Sequence, residues 1–444
     1  MEFPWEEVFS PIEQEFLQAR FEYHFKKRTS TDAAPSSTEL FPDIPQDLST
    51  LPTRSAKGRK GVNFYALLKA FLLAPLLYVE VMVSSVHLQV IGNSDFRMVC
   101  GFDTRPSLKT FERFDQIMIE NGLWEKARQL MVSYNLFHGI VGKEEQLAVD
   151  TTHVDAEATV HKMKKCSHSE PCHCPKIPTD DNVGVMRKSN TVTYIAHKIS
   201  LVCGVESELP LSRSVFKGDE HDAKTLEPTL EKVTEDLPEE FLKTVQYVSA
   251  DGIYQSADNQ QHTKSILKAK LLAPINPRKI QDKALESCGM TKLDRYGVPH
   301  CISGHKLQLK GLDEAKEHYV WTCPVFDPKY KQEGLSCSNE QHIQCCNGAK
   351  TGRTLRIHQS MTPQIDTEFP QHLQSFKKKY AERTAIERVI GIAKDGLSMR
   401  RVHKRGRLAV EAHVDRCMIT AHALAYMSVQ GTGQLYRGWT KLSA

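Results

Sequence analysis

The chain has 444 residues, enough for two or three domains, and its 40% hydrophobic and 8% aromatic content fits a soluble protein with a sizeable core. A net charge of +4 is too mild to name a polyanionic partner. The apolar stretch Ala66–Val86 carries Lys69, Pro75 and Glu80, which excludes a lipid-spanning helix and predicts a buried one. The opening MEFPWEEVFS is acidic and not a secretory signal. The expectation is therefore a cytoplasmic chain whose twelve cysteines are packing residues or metal ligands, not disulfides.

Residues 1–27 predict a helix, and 28–61, rich in Ser, Thr, Pro and Gly, predict a linker. Helical spacing follows over 62–138, with helices at Val62–Pro75 and Val79–Ile91. A third begins at Ser107 as N-cap, with Leu108, Phe111, Phe114, Ile117 and Met118 at helical intervals, and a fourth holds Trp124, Ala127, Leu130 and Met131. Such helices suit either a DNA-binding bundle or a plain packing domain.

From residue 143 the period changes. Gln146–Asp150 is a short apolar strand ending in a carboxylate, and Thr191–Val205 with Leu209–Phe216 can pair as a hairpin. Lys224–Val233 predicts a helix, Thr244–Ala250 a strand ending at Asp251, Ser256–Ala269 a helix and Leu271–Ile275 a strand. Residues 276–370 are rich in Cys, His, Gly and Pro, with strand-like pieces such as His318–Thr322, and read as an insertion. Helical patterning returns over Asp366–Lys394 and Val410–Ser428. The layout is mixed α/β. It divides into 1–61, an N-terminal helix and linker; 62–140, a helical domain; 141–275, the first part of an α/β core; 276–370, a Cys/His-rich β insertion; and 371–444, the C-terminal helices of the core.

Asp150 and Asp251 stand at strand ends, where open α/β sheets present ligands. Glu387 lies in a helical pattern with Tyr380, Arg383 and Lys394 at spacings that share one face. Three converging carboxylates repel unless a cation joins them. Mg²⁺ or Mn²⁺ suits oxygen donors and phosphoryl chemistry. Each feature alone has a blander reading: a strand-end Asp is usually a turn or cap residue, and a Glu between Arg and Lys a surface ion-pair ladder. From Lys394 to Arg407 six Lys or Arg accompany a single Asp, a cluster that is either a solvated face or a phosphate contact.

The set gains its weight from Tyr380-x2-Arg383-x3-Glu387-x6-Lys394 in YAERTAIERVIGIAKDG. This resembles the Y-x2-R-x3-E-x6-K signature of the bacterial insertion-sequence DDE transposases. AVDTTHVDA and VSADGIYQS look like that family's two Asp strands, and GFDTRPSLKTFERFDQIMIENGLWEK looks like its helical N-terminal domain. The resemblance covers roughly 60–430 and implies an RNase H-like mixed sheet flanked by helices, with a β insertion before the last catalytic helix. It also implies catalytic and metal-binding roles for Asp150, Asp251 and Glu387, with Mg²⁺ or Mn²⁺ as cofactor. DNA contacts are implied at Tyr380, Arg383, Lys394, Arg400, Arg401, Lys404 and Arg405. The implied partners are double-stranded DNA, as terminal inverted repeats and target, and a second copy of the chain in a homodimeric synaptic complex. The implied location is the bacterial cytoplasm, in association with the nucleoid. The implied reaction is cleavage at transposon ends followed by strand transfer. Alternatives are an inactive DNA-binding derivative, a nuclease without joining activity and, from Tyr380 alone, a tyrosine recombinase. The intact carboxylates favour the transposase.

Two Cys/His groups remain. Cys166, Cys172 and Cys174 with His161, His168 and His173 form a compact set, of which Cys166, Cys172, Cys174 and His168 are candidate zinc ligands. Cys301, Cys323, Cys337, Cys345 and Cys346, with His305 and His342, form a looser set without a C-x2-C pair. The alternative for both is reduced cysteines in a loop and a small β domain. His221-Asp222 is read as positioning the helix that follows, and Cys100, Cys203 and Cys417 as core residues.

Overall fold

A computed structural model describes residues 3–29, 62–158, 180, 182–187, 193–275, 292–294, 297–358 and 369–433. The chain forms two compact units, one of residues 1–140, 154–197 and 391–444, the other of 141–153 and 198–390.

The first unit is built on helices: α1 (Trp5–Thr29), α2 (Phe64–Leu73), α3 (Val83–Gly92), α4 (Ser94–Cys100), α5 (Leu108–Glu120), α6 (Leu123–Phe137) and, from the C-terminal part, α13 (Arg407–Thr432). Their apolar stripes meet in one core in which Phe71, Phe114 and Trp124 lie ring to ring. Each such side chain, fully buried, stabilises the fold by about 1.5–3 kcal/mol. Two ion pairs cross the core. Arg128 on α6 donates to Asp415 on α13 at 2.8 Å, and Arg416 donates to Asp115 on α5 at 2.8 Å. The apolar stretch at 66–86 is buried as expected through Leu72, then leaves the α-helix at Pro75 in a 3-10 turn, Ala74–Leu77. Among the described residues no helix is long and apolar enough to cross a membrane.

The sheet joins β1 (Gln146–Asp155), β2 (Gly184–Arg187), β3 (Thr193–Gly204), β4 (Pro210–Lys217), β5 (Tyr247–Ser249) and β6 (Lys270–Leu272), in the order β2-β3-β1-β5-β6 with β4 also on β3. β1, β5 and β6 are parallel, and β2 is antiparallel to β3. This mixed sheet, with α7 (Asp222–Asp236), the short α8 (Glu239–Leu242) and α9 (Ala257–Leu267) in the crossovers, is the RNase H-like α/β arrangement the resemblance implies. α7 packs on β4 and α9. Leu147, Ala148, Val149 and Val248 are fully buried, as sheet strands covered on both faces must be.

A smaller antiparallel sheet, β11-β10-β9, lies in the second unit: β9 (Gln308–Asp313), β10 (His318–Thr322) and β11 (Thr354–His358), with β7 (Lys292–Leu293) paired to β8 (Pro299–His300). α10 (Asn339–Cys346) sits between β10 and β11 in sequence, opened by a capping box of Ser338 and Gln341. α11 (Gln374–Ala381) and α12 (Thr384–Gly396) follow. Sequence patterning missed β2, α4 and α10, which are too short for periodicity to register. Residues 30–61 of the expected linker, the cluster at 161–179 and the residues after 433 lie outside the described residues, and the linker's first two residues, Arg28 and Thr29, belong to α1 instead.

Candidate active site

In the parallel pair β1–β5 the partners Gln146↔Tyr247, Leu147↔Val248 and Ala148↔Ser249 are each offset by 101 positions. The pairing ends at Ala148↔Ser249; Asp150 follows two residues on in β1 and Asp251 two residues past the end of β5, near enough for each carboxylate to act on the other electrostatically. Asp251 starts a 3-10 turn, Gly252–Tyr254, and its carboxylate accepts from the Gly252 amide at 2.6 Å. Asp150 accepts from the Thr151 amide at 2.8 Å.

The third carboxylate arrives on α12. Ile386, Val389 and Ala393 form its buried face and leave Glu387 exposed. Patterning predicts one helix through Asp366–Lys394, but the structure breaks it. Glu382, Arg383, Ala385 and Ile386 each donate to the carbonyl three residues earlier, a 3-10 stitch between α11 and α12. Tyr380 therefore ends one helix and Glu387 begins the next, and the four signature residues do not share one continuous face. Arg383, in the stitch, donates to Asp150 at 3.3 Å and to Glu387 at 2.5 Å. Its guanidinium also lies over the Tyr380 ring, 5.8 Å from the centroid, and Tyr380 stacks on Phe376.

The electrostatics follow from this crowding. Burial raises the Asp150 pKa; the Thr151 amide and Arg383 oppose the rise, while Asp251 and Glu387 add to it. For Arg383, burial lowers the pKa, but Tyr380, Asp150, Glu387 and Asp251 together outweigh it and raise the value. Burial likewise raises the Tyr380 pKa, against the pull of Arg383. Three carboxylates around one guanidinium leave two formal negative charges. An all-oxygen, doubly negative donor set fits a hard divalent cation. As placed, no three His, Cys, Asp or Glu side chains among the described residues are already converged as metal ligands; Asp150 and Glu387 share Arg383 instead.

Residues that sequence reading undervalued hold this geometry. Asp222, at the start of α7, accepts from Thr151 Oγ1 at 2.9 Å and from buried Lys198 Nζ at 2.5 Å, which ties the chain next to Asp150 to β3. His221 caps α7 through the Ala223 amide, the positioning role expected of it. Arg388, beside Glu387, makes a bidentate pair with buried Glu208 at 2.6 and 3.0 Å. Glu144 accepts the Glu206 and Ser207 amides in the same β3–β4 turn. It leaves Gly204 no room for a Cβ, which would fall 2.1 Å from its carboxylate. These contacts join positions up to 180 residues apart and carry no local signal.

The remaining expected DNA contacts lie in the first unit. Burial, with Arg400 beside it, lowers the Lys394 pKa against the pull of Asp155 and Asp395. Arg400 pairs with Asp395, Arg401 with Glu157 at 3.3 Å and Lys404 with Asp115 at 3.1 Å, while Arg405 donates to the Glu157 carbonyl. Arg400 and Arg401 are half exposed or more, and Lys404 nearly so, though its partner Asp115 is buried. Exposed pairs of this kind contribute about 0–1 kcal/mol each and can exchange for phosphate. Cys166, Cys172, Cys174 and His168 lie outside the described residues.

The family model described as "Transposase DDE domain" matches residues 142–424. No curated protein is recognisably similar in sequence. Among solved structures the chain is similar to a piggyBac transposase synaptic complex with hairpin DNA, at 11% identity and TM-score 0.39, over 85% of this chain and 69% of that one. It is also similar to a Mos1 transposase paired-end complex with left transposon end, at 10% identity and TM-score 0.18, over 46% of this chain and 76% of that one.

Proposed function

We propose, for a chain that belongs to the DDE-domain transposase family, that Asp150, Asp251 and Glu387 are its catalytic carboxylates and hold its divalent metal. The observation that supports this is Arg383 bridging Asp150 to Glu387, with Asp251 following the strand that pairs with β1. The enzyme cleaves DNA and transfers strands. Mg²⁺ fits the oxygen-only donor set best; when bound it supplies a Lewis acid for in-line attack on a phosphodiester.

The chain's own groups do the rest. The exposed Asp251 and Glu387 face solvent, so duplex DNA can reach them. Arg383 can turn one N–H from Glu387 to a phosphate oxygen while keeping Asp150, and Tyr380 holds its plane. Lys394, Arg400, Arg401, Lys404 and Arg405 bind the DNA backbone. The first chemical step frees a 3′-OH at a terminal inverted repeat, and the second joins it to target DNA. A homodimer that pairs two ends, acting at the bacterial nucleoid, is the assembly this reading favours.

The test uses labelled end DNA taken from the sequence flanking the gene, a plasmid target and Mg²⁺. Cleaved and joined products are expected. Asp150→Asn, Asp251→Asn and Glu387→Gln should each lose both products while still shifting end DNA in a gel. Cleavage without joining would make the chain a nuclease, and full activity in any one variant would remove that residue from the site.

A further inference from the structure

Asp150 lies inside β1, but Asp251 stands past the end of β5, outside the strand pairing. The sheet therefore fixes the first aspartate and leaves the second to whatever holds the turn it opens. That turn is short. The Tyr254 amide donates to the Asp251 carbonyl at 3.0 Å and the Gln255 amide to the Gly252 carbonyl at 3.2 Å. A single 3-10 turn is weakly held by its own bonds, so its position depends on outside anchors.

We propose that Asn259, on α9, is the positioning residue for this pair of aspartates: its side-chain amide clamps the turn opened by Asp251 to the start of α7, which in turn holds the chain beside Asp150. The proposal rests on the reading of Asp150 and Asp251 as metal-holding carboxylates.

The Asn259 Nδ2 group donates to the Tyr254 carbonyl at 2.8 Å and to the Ala223 carbonyl at 3.0 Å. Both of its N–H donors are thereby used, and aspartate, of the same size, could supply neither while ionised. Asn259 is only 4% exposed, so water competes little for these bonds. The side chain is itself preset. Ser256 caps α9 by accepting the Asn259 amide at 3.1 Å, and Thr263 Oγ1 donates to the Asn259 carbonyl at 2.7 Å.

The second half of the clamp leads back to β1. Ala223 follows Asp222, whose carboxylate accepts from Thr151 Oγ1 at 2.9 Å and from Lys198 Nζ at 2.5 Å. Thr151 follows Asp150 and donates its amide to the Asp150 carboxylate at 2.8 Å. One side chain thus closes a circuit of hydrogen bonds between two aspartates that arrive on different strands. The turn is pressed from another side as well: a Cβ on Gly252 would meet the Pro274 carbonyl at 3.1 Å, and Tyr254 is fully buried. Misplacing reacting groups by about 1 Å costs on the order of 100-fold in rate, which is why a clamp remote from the DNA bears on the chemistry.

The full-length protein is compared with Asn259→Ala, Thr229→Val and Asp251→Asn on labelled end DNA over a range of Mg²⁺. Asn259→Ala should need roughly 10-fold more Mg²⁺ for half-maximal cleavage and cleave about 10–100-fold more slowly, while binding end DNA as before. Thr229 is the control for stability. It is fully buried in the middle of α7, and its Oγ1 donates to the Thr225 carbonyl at 2.6 Å. Thr229→Val should lower the Tm comparably and leave the Mg²⁺ requirement unchanged. Independently of cleavage, Mg²⁺ should raise the Tm of the unmutated protein and of Thr229→Val alike, and that of Asn259→Ala less. Should Asn259→Ala fail to fold, amide exchange in the unmutated protein decides: Mg²⁺ should slow exchange over residues 251–255 and 223–226 together. A Mg²⁺ requirement in Asn259→Ala equal to that of Thr229→Val, or Mg²⁺ protection that stops at 251–255, overturns the proposal. Full cleavage by Asp251→Asn would instead remove the carboxylate reading beneath it; an inactive Asp251→Asn beside an Asn259→Ala that matches Thr229→Val removes the clamp alone.

Discussion

Asp150 concentrates the conflict that the site is built on. Burial and two neighbouring carboxylates raise its pKa in the folded state. A carboxyl raised in this way stabilises the fold while protonated, below its unfolded value near 3.9, and that contribution is lost as pH rises through the folded value. In chelator, Asp150→Asn should therefore melt at a higher temperature than the unmutated protein at pH 7, and the gap should close in acid. Melting curves across pH check this; a lower Tm for the variant at neutral pH would show that Asp150 is a net stabiliser. Mg²⁺ should raise the Tm of the unmutated protein and leave Asp150→Asn nearly unmoved. Arg383→Lys is a second test at this scale. Lysine cannot span two carboxylates as a planar fork, so strand cleavage should fall roughly 10–100-fold while the fold survives.

At the scale of elements, the question is what aims α12. Its buried face, Ile386, Val389 and Ala393, fixes which side packs inward but not where the helix begins. The 3-10 stitch and the Arg388–Glu208 fork fix that. Glu208 is 1% exposed and sits at φ +53°, so removing Arg388 takes a charge-assisted fork from a buried carboxylate in a strained turn. Arg388→Ala should cost about 1–3 kcal/mol, allowing for the half-exposed arginine. Cleavage should fall more than binding, because Glu387 lies next to the lost anchor. Urea melts with gel-shift and cleavage assays on the same preparation separate the effects; equal losses of binding and cleavage would deny the positioning role. The same logic applies to Asp222, which links Thr151 to Lys198 beside the catalytic strand.

Over the whole molecule, the two units rest on different physics. The helical unit is held by aromatic packing and by the Arg128–Asp415 pair, whose side chains are 0% and 1% exposed. Asp415→Ala should destabilise that unit by about 1–3 kcal/mol, since Arg128 loses its 2.8 Å partner in the core while the longer Glu125 contact at 3.8 Å remains; circular dichroism melts measure it, and a near-neutral change would show that the pair contributes little. On the proposed function, the basic run from Lys394 meets DNA as a surface field. Lys394→Ala should lower the slope of log affinity against log salt by about one and weaken binding alike on end and unrelated DNA. An unchanged slope would remove Lys394 from the phosphate contacts.

The sequence by itself determined the alternation of strands and helices, the three carboxylates and the signature around Glu387. These are local patterns of hydrophobicity and spacing, readable wherever an element is long enough to show its period. Even the 101-residue spacing from Asp150 to Asp251 was in plain sight, though only strand pairing showed that the segments before them run side by side. The tertiary structure alone decided the rest. It broke the predicted helix between Tyr380 and Glu387, forked Arg388 onto Glu208 and tied Asp222 to Lys198. Each of these joins residues distant along the chain, and their energy exists only once the intervening polypeptide has folded them into contact; no window of neighbouring residues contains both halves of such a bond.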